Sequence, residues 1–385
     1  MTMLKVAILG ANGFIGSRTV ELLHLAGLAE VRPIVRTVSS MARLSRFDLD
    51  SRVADAFDKQ ALRTAFAGCD VVLHAVAGDM RTIIEPLTPI YQAAQEAGVG
   101  RLVYLSTASV HGQAPPPGVD ETVALSDQQP IAYNNAKVQA ERRLLELREH
   151  GSVELVMLRP GIVYGPRSSW VANFAADLLA GTAYLVNEGQ GICNSCYVDN
   201  LIHAIYLAMR APAADRQAFL VGDREQVTWL DLYRPIAEAL GRELADIARV
   251  SYTPAARNRN WKRHVQAMIA ARPSQTILSL LPSNLRRAGG TALLTLMETQ
   301  PLPPESPWAF PQQQAGVQPT ASLEMALLYQ CQYKLPYAKA TKLLGYEPIV
   351  SFQEACRRSI GWLAFAGYPV VEQHKQLDSN IHSDL

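Results

Sequence analysis

One stretch near the start of the chain limits the fold more than any other. Gly10-Ala11-Asn12-Gly13-Phe14-Ile15-Gly16 follows an apolar run at residues 5–9 and opens a segment with helical apolar spacing at 14–25, closed by Gly27. Strand, glycine turn and helix in immediate succession bring a helix N-terminus up to an anion. The glycines permit the tight turn and the close backbone approach, and the unpaired N–H groups at the positive end of the helix dipole then face a phosphate. A glycine triplet alone is a weak signal and could be a plain structural turn; placed between a strand and a helix it predicts a dinucleotide-binding unit.

The chain beyond it repeats the alternation. Apolar runs at 31–35, 71–75, 102–105 and 155–158 read as strands, and the segments at 61–66, 89–97 and 132–149 as helices. Strands that are apolar throughout belong to a parallel sheet covered on both faces. The expected fold is α/β: a doubly wound parallel-sheet Rossmann domain with a smaller, mainly helical C-terminal substrate lobe. Residues 1–168 make the first, with 192–225 returning to it through helical spacing at 201–209 and a strand at 218–221. Residues 169–191, with a helix at 170–179, and 226–371 make the lobe, including a variable insertion at about 250–325; the polar residues 372–385 read as a frayed tail.

A formal net charge of +1 gives no global field toward nucleic acid. The five cysteines are an odd number, in a chain that starts on a strand rather than a leader, so a reducing cytoplasm is the expected setting. No apolar run reaches the ~18–20 residues of a membrane span. Cys193 and Cys196 form a lone CxxC with no second pair or nearby His, so no metal site is expected.

Two further features carry chemistry. Val35, at the end of the second strand, is followed by Arg36 where an acid would hold the ribose hydroxyls of NAD; a guanidinium pairs with a 2′-phosphate instead, which favours NADP, with NAD as the second candidate. Tyr133 and Lys137 lie four apart in a helical segment and share a face. An ammonium near a phenol stabilises the phenolate and lowers its pKa, giving a group that passes protons to or from a hydroxyl or carbonyl.

With these motifs the sequence resembles the extended short-chain dehydrogenase/reductase superfamily, which includes nucleotide-sugar epimerases and dehydratases and the 3β-hydroxysteroid dehydrogenase type. The resemblance covers most of residues 3–225, through the glycine loop, Asp55-Ala56, Asp70-Val71-Val72-Leu73-His74-Ala75, Ser106-Thr107-Ala108-Ser109-Val110-His111-Gly112, Tyr133 with Lys137, Arg159-Pro160-Gly161 and Tyr197-Val198-Asp199-Asn200. It resumes at 339–362 with Lys342-Leu343-Leu344-Gly345-Tyr346-Glu347-Pro348. It implies Thr107, Tyr133 and Lys137 as the catalytic set, with Lys137 also on the nicotinamide ribose. It implies Asp55, beside Ala56, near adenine; Ala75, Val76 and Ala77 along the dinucleotide; and Pro160, Gly161 and Val163 near the nicotinamide.

Departures from the family pattern narrow the chemistry. Ala108 and Ser109 stand where sugar dehydratases of the family carry Asp-Glu, and neither can do acid/base work. Ile162 replaces an Asn, and Cys193 an Arg, that nucleotide-sugar enzymes use on the substrate side; neither can hold a diphosphate. His111 replaces a common Tyr, either as a packed histidine or as a substrate contact. The expected protein is an NAD(P)-dependent oxidoreductase acting on a small-molecule secondary alcohol or ketone and assembling as a homodimer. A nucleotide-sugar epimerase with tightly bound NAD and a cofactor-sensing binding protein are the alternatives.

The last feature is a stretch between Asp246 and Glu298 with no acid, yet with Arg249, Arg257, Arg259, Lys262, Arg263, Arg272, Arg286 and Arg287 among leucines, prolines and Trp261. That mixture fits a solvated basic face, a lid over an anionic substrate, or peripheral contact with an anionic membrane surface through 249–297.

Overall fold

In the computed structural model, which describes residues 3–251, 319 and 321–371, the chain begins with strand β1 (Lys5–Leu9), buried from Val6 on. Helix α1 (Phe14–Leu25) follows at once, then β2 (Glu30–Val35) and the two-residue β3 (Arg52–Val53). Helix α2 (Lys59–Phe66) is capped by Asp58, whose side chain accepts from the Ala61 amide, and leads to β4 (Val71–His74). The short α3 (Met80–Ile84) and α4 (Leu87–Glu96) precede β5 (Arg101–Leu105), and the long α5 (Ala132–Glu149) precedes β6 (Glu154–Pro160).

Next come β7 (Ile162–Tyr164), α6 (Ser169–Ala180), β8 (Tyr184–Val186), β9 (Ile192–Cys193), β10 (Ser195–Tyr197) and α7 (Val198–Ala208). Strand β11 (Gln217–Val221) returns to the main sheet. After it stand β12 (Val227–Thr228), α8 (Trp229–Ala239), β13 (Ala248–Val250), α9 (Leu323–Leu328), α10 (Ala338–Leu344) and α11 (Phe352–Phe365).

Seven strands form one sheet in the order β11-β6-β5-β4-β1-β2-β3, every pair parallel. The order reverses at β1, between β4 and β2, which is the switch point where doubly wound sheets bind ligands at their carboxyl ends. Leu9 stands opposite both Ile34 and His74 there, so the loops after β1, β2 and β4 open side by side. The buried side chains of α2, α4 and α5, such as Leu62, Ile90, Ala136 and Leu144, share one apolar cluster with sheet residues Ala7, Val72 and Leu102. Paired two-stranded ladders (β7 with β10, β8 with β13, β9 with β12) carry the part beyond β6.

The expected strands all form; β4 stops at His74, one residue short of the expectation, and β11 begins at Gln217. Strand β3 has no apolar signature, because both its residues are exposed at the sheet edge. The C-terminal signature docks back on the sheet: Gly345 ends α10 in the left-handed region at φ 71°, and the Tyr346 hydroxyl donates to the Gly222 carbonyl at 3.0 Å. All described residues fall in one compact unit. The basic stretch lies outside the described residues from 252 onward; Arg249, which is described, sits in β13 and pairs with Glu188 at 2.8 Å. The tail 372–385 also lies outside them.

Candidate active site

A cleft of about 810 Å³ runs over the carboxyl ends of the sheet strands. At one end lies the glycine loop. Gly10 has φ +86°, and a Cβ on it would stand 2.8 Å from the carbonyl oxygen of Ala75, so the loops after β1 and β4 pack backbone to backbone. A Cβ on Gly16 would collide with the Gly10 carbonyl, so only glycine lets α1 come this close to the loop. The N-terminus of α1 has no side-chain cap and no acid in its first turn. That leaves its amides and dipole open to an anion, which is how these residues fit a dinucleotide pyrophosphate.

The structure brings nearly the whole expected set into this one cleft. Gly10, Asn12, Gly13, Phe14 and Ile15 line it with Arg36 and Asp55-Ala56, then Ala75, Val76, Ala77, Thr107, Tyr133, Pro160, Gly161 and Val163. Gly16 lies just behind the wall, as its packing against Gly10 requires. Arg36 is exposed at the end of β2. Asp55 is also exposed, and its carboxylate accepts from the Phe57 amide at 3.0 Å, which folds the loop after β3 toward the cleft.

Helix α5 carries the expected Tyr133 and Lys137. Tyr133, Lys137 and Glu141 follow at intervals of four and form a polar stripe on the face turned to the sheet. Tyr133 stands in the cleft wall together with Thr107. Lys137 is buried and donates to the Tyr104 hydroxyl at 3.1 Å and the Leu105 carbonyl at 2.8 Å; burial pulls its ammonium down to about 8. Glu141 forms a buried ion pair with Arg159 at 2.6 Å, and Arg159 also meets the His111 ring at 3.1 Å. This pair locks α5 to the end of β6 and to the turn after Thr107; removing one partner of such a pair costs about 3–5 kcal/mol. Glu141 was legible as the third member of the i, i+4 stripe.

Two expectations change. The lowering of the Tyr133 pKa by Lys137 does not occur: burial first, and the Glu324 charge second, push the phenol up to about 12, with only Thr107 acting the other way. The Lys137 ammonium is turned to Tyr104 and Leu105 instead. His111 takes the packed role: burial and then Arg159 hold it near 4, so it is neutral at pH 7, and it does not line the cleft. Cys193 and Cys196 are buried on separate strands, and burial pushes both thiols up.

The sequence reading missed the far end of the cleft. Its wall there is Gln113, Ser169, Trp170, Glu324 and Leu328, with Thr82 and Ile162. Glu324 arrives on α9, whose first turn is capped by the Ser322 side chain. That helix is held by the Trp229 indole donating to the Leu328 carbonyl at 3.3 Å and by Trp229 stacking on Tyr329 at 4.9 Å. The Ile192 amide, donating to Cys331 at 2.7 Å, ties the next residues to β9. No local signal marks Glu324, because its place depends on contacts made about a hundred residues away in the chain. Among the described residues, Arg36 at the glycine end is the only Lys, Arg or His lining the cleft.

Comparison with known proteins identifies the family. The chain is 28% identical over 271 residues to a 3-beta-hydroxysteroid dehydrogenase of Mycolicibacterium neoaurum, covering 64% of this chain and 73% of that protein. It is 27% identical over 264 residues to a UDP-glucose 4-epimerase of Vibrio cholerae, covering 62% and 76%. The solved UDP-glucuronic acid 4-epimerase of Bacillus cereus, in complex with UDP-glucuronic acid and NAD, has the same fold with a TM-score of 0.65 at 16% identity, over 94% of this chain and 100% of that one. The NAD dependent epimerase/dehydratase family matches residues 6–222, which span the glycine loop, the Thr107–Tyr133–Lys137 set and the whole parallel sheet, and the chain belongs to that family.

Proposed function

We propose that the chain is an NADP-dependent oxidoreductase that interconverts a secondary alcohol and a ketone. The observation that carries this reading is that Thr107 and Tyr133 both line the cleft that begins at the glycine loop. A bound nicotinamide supplies or accepts the hydride. Tyr133 gives its proton to the substrate oxygen in reduction, and at about 12 it is protonated at neutral pH, the form a carbonyl needs; in oxidation the phenolate takes the alcohol's proton, so that direction is favoured by alkaline pH. Thr107 hydrogen-bonds that oxygen and polarises it. Lys137, buried behind the cleft wall on Tyr104 and the Leu105 carbonyl, is the residue that the family resemblance assigns to the nicotinamide ribose. Exposed Arg36 at the end of β2 supports NADP, since it is free to pair with a 2′-phosphate.

The second reading is a nucleotide-sugar epimerase, favoured by the epimerase among the relatives. It would need cations for a diphosphate at the tyrosine end, where the described residues supply none. One assay separates the two. The chain is incubated with NADP or NAD and a panel of secondary alcohols, and reduced nicotinamide is measured in solution. The dehydrogenase releases it in proportion to ketone, with NADP preferred, and Arg36→Asp weakens NADP about 10–100-fold while sparing NAD. An epimerase returns the hydride to its own substrate and releases none.

A further inference from the structure

The Tyr133 end of the cleft holds an acceptor group that the proposed reaction does not itself require. Gln113 is 93% buried by its 7% exposure, yet it lines the cleft; its amide nitrogen donates to the Glu324 carboxylate at 3.1 Å, and its amide oxygen is buried with no partner. A buried carbonyl oxygen without a donor is costly, and such groups mark a place where a donor belongs. Glu324 is exposed in the same wall and close enough for its charge to act on Tyr133. Two acceptors therefore stand together beside the catalytic phenol, with no cation lining that end among the described residues. A neighbouring cavity of about 250 Å³ shares Ser169 and Trp170 with the cleft and continues past them between Phe174, Tyr184, Tyr233 and Tyr329, with Asn173 and Asp177 also in its wall.

We infer that Glu324 and Gln113 form a specificity site for a hydrogen-bond donor, a hydroxyl or an ammonium, carried by the substrate near the carbon that reacts, with the largely aromatic cavity taking the remainder of the substrate. The inference deepens the oxidoreductase reading and rests on Tyr133 marking the reacting carbon. A carboxylate at the same place in a substrate meets Glu324 and is repelled. An ammonium gains most, because it can meet the carboxylate, the amide oxygen and an aromatic face together. A neutral hydroxyl makes the same hydrogen bonds without the charge.

Four probes that differ only at the carbon next to the reacting one test it: 1-phenylethanol, 1-phenyl-1,2-ethanediol, 2-amino-1-phenylethanol and mandelate. Affinity for the NADP complex is measured by calorimetry and kcat/KM by release of reduced nicotinamide. The expected order is amino alcohol, diol, 1-phenylethanol, mandelate. Glu324→Gln lowers binding of the amino alcohol about tenfold or more and raises that of mandelate, each relative to 1-phenylethanol in the same variant, chiefly through KM. Glu324→Asp restores part of the amino-alcohol preference, which a merely structural role would not do. A lead of the diol over the amino alcohol in the wild type, lost in the variant, supports the site with a hydroxyl as its ligand. Equal affinity for all four probes, no binding of any, or an equal loss for all in Glu324→Gln overturns it. Failure of the oxidoreductase reading looks different: the probes bind in the stated order but no reduced nicotinamide appears.

Discussion

At the glycine end, the cleft wall is short runs of consecutive chain: Gly10 and residues 12–15 with the loops at 54–57 and 75–77, where the backbone approaches at Gly10 and Gly16 leave no room for a Cβ. At the tyrosine end it is side chains from distant segments, and the Gln113–Glu324 hydrogen bond joins residues 211 apart. A backbone surface recognises a constant anion and tolerates only glycine where it is tight. A side-chain surface changes its ligand when one residue changes. The difference explains how one family can hold a similar dinucleotide and different substrates, and it can be probed from either end.

The largest effect is expected where the two ends meet. On the proposed reading, in which the phenol moves a proton and the glycine end does the holding, Tyr133→Phe should lower turnover roughly 10²–10⁴-fold while NADP affinity is nearly unchanged. Stopped-flow turnover with a fluorescence titration of NADP reads both. Near-normal turnover would remove Tyr133 from the chemistry, and a parallel loss of NADP would show that the ends are not separable.

Gly16→Ala should give the reverse. The added methyl collides with the Gly10 carbonyl, which is backbone and cannot turn aside. Unfolding free energy should fall by about 1–3 kcal/mol, with weaker NADP binding, whereas residual turnover at saturating cofactor should be kept. Urea melts and the same titration check it; unchanged stability would mean that the loop yields more readily than the close approach implies.

The smallest expected effect tests the floor under both ends. His74 ends β4 opposite Leu9, packs edge-on against Tyr104 at 5.2 Å, and is held down to about 3 by burial and then by Lys137. Its folded value lies below its ordinary 6.5, so between those values the unfolded chain binds a proton that the native chain does not. Stability is therefore lost as pH falls from 6.5 toward 3, by roughly 1 kcal/mol at pH 5.5. His74→Leu should show a shallower acid loss in melts between pH 7 and pH 5. His111, held near 4 in the same way, keeps the slope from vanishing. An unchanged slope in the variant would place the acid sensitivity elsewhere.

The sequence by itself determined the parallel sheet, the cleft at its switch point and the glycine end. Those features rest on short-range rules: apolar runs for buried strands, and glycines where strand meets helix. It also placed Tyr133 and Lys137 on one stripe, to which the structure adds Glu141, because helical spacing alone puts residues four apart on the same face. What each member of that stripe does was decided by tertiary structure. Lys137 looks as though it should tune Tyr133, yet Tyr104 and the Leu105 carbonyl take its ammonium, while burial and Glu324 set the phenol. Charge, burial and hydrogen bonding at a point depend on everything folded around it, including α9 from the far end of the chain. Spacing carries no information about Glu324, because its position beside Gln113 exists only once Trp229 and Cys331 have docked its segment.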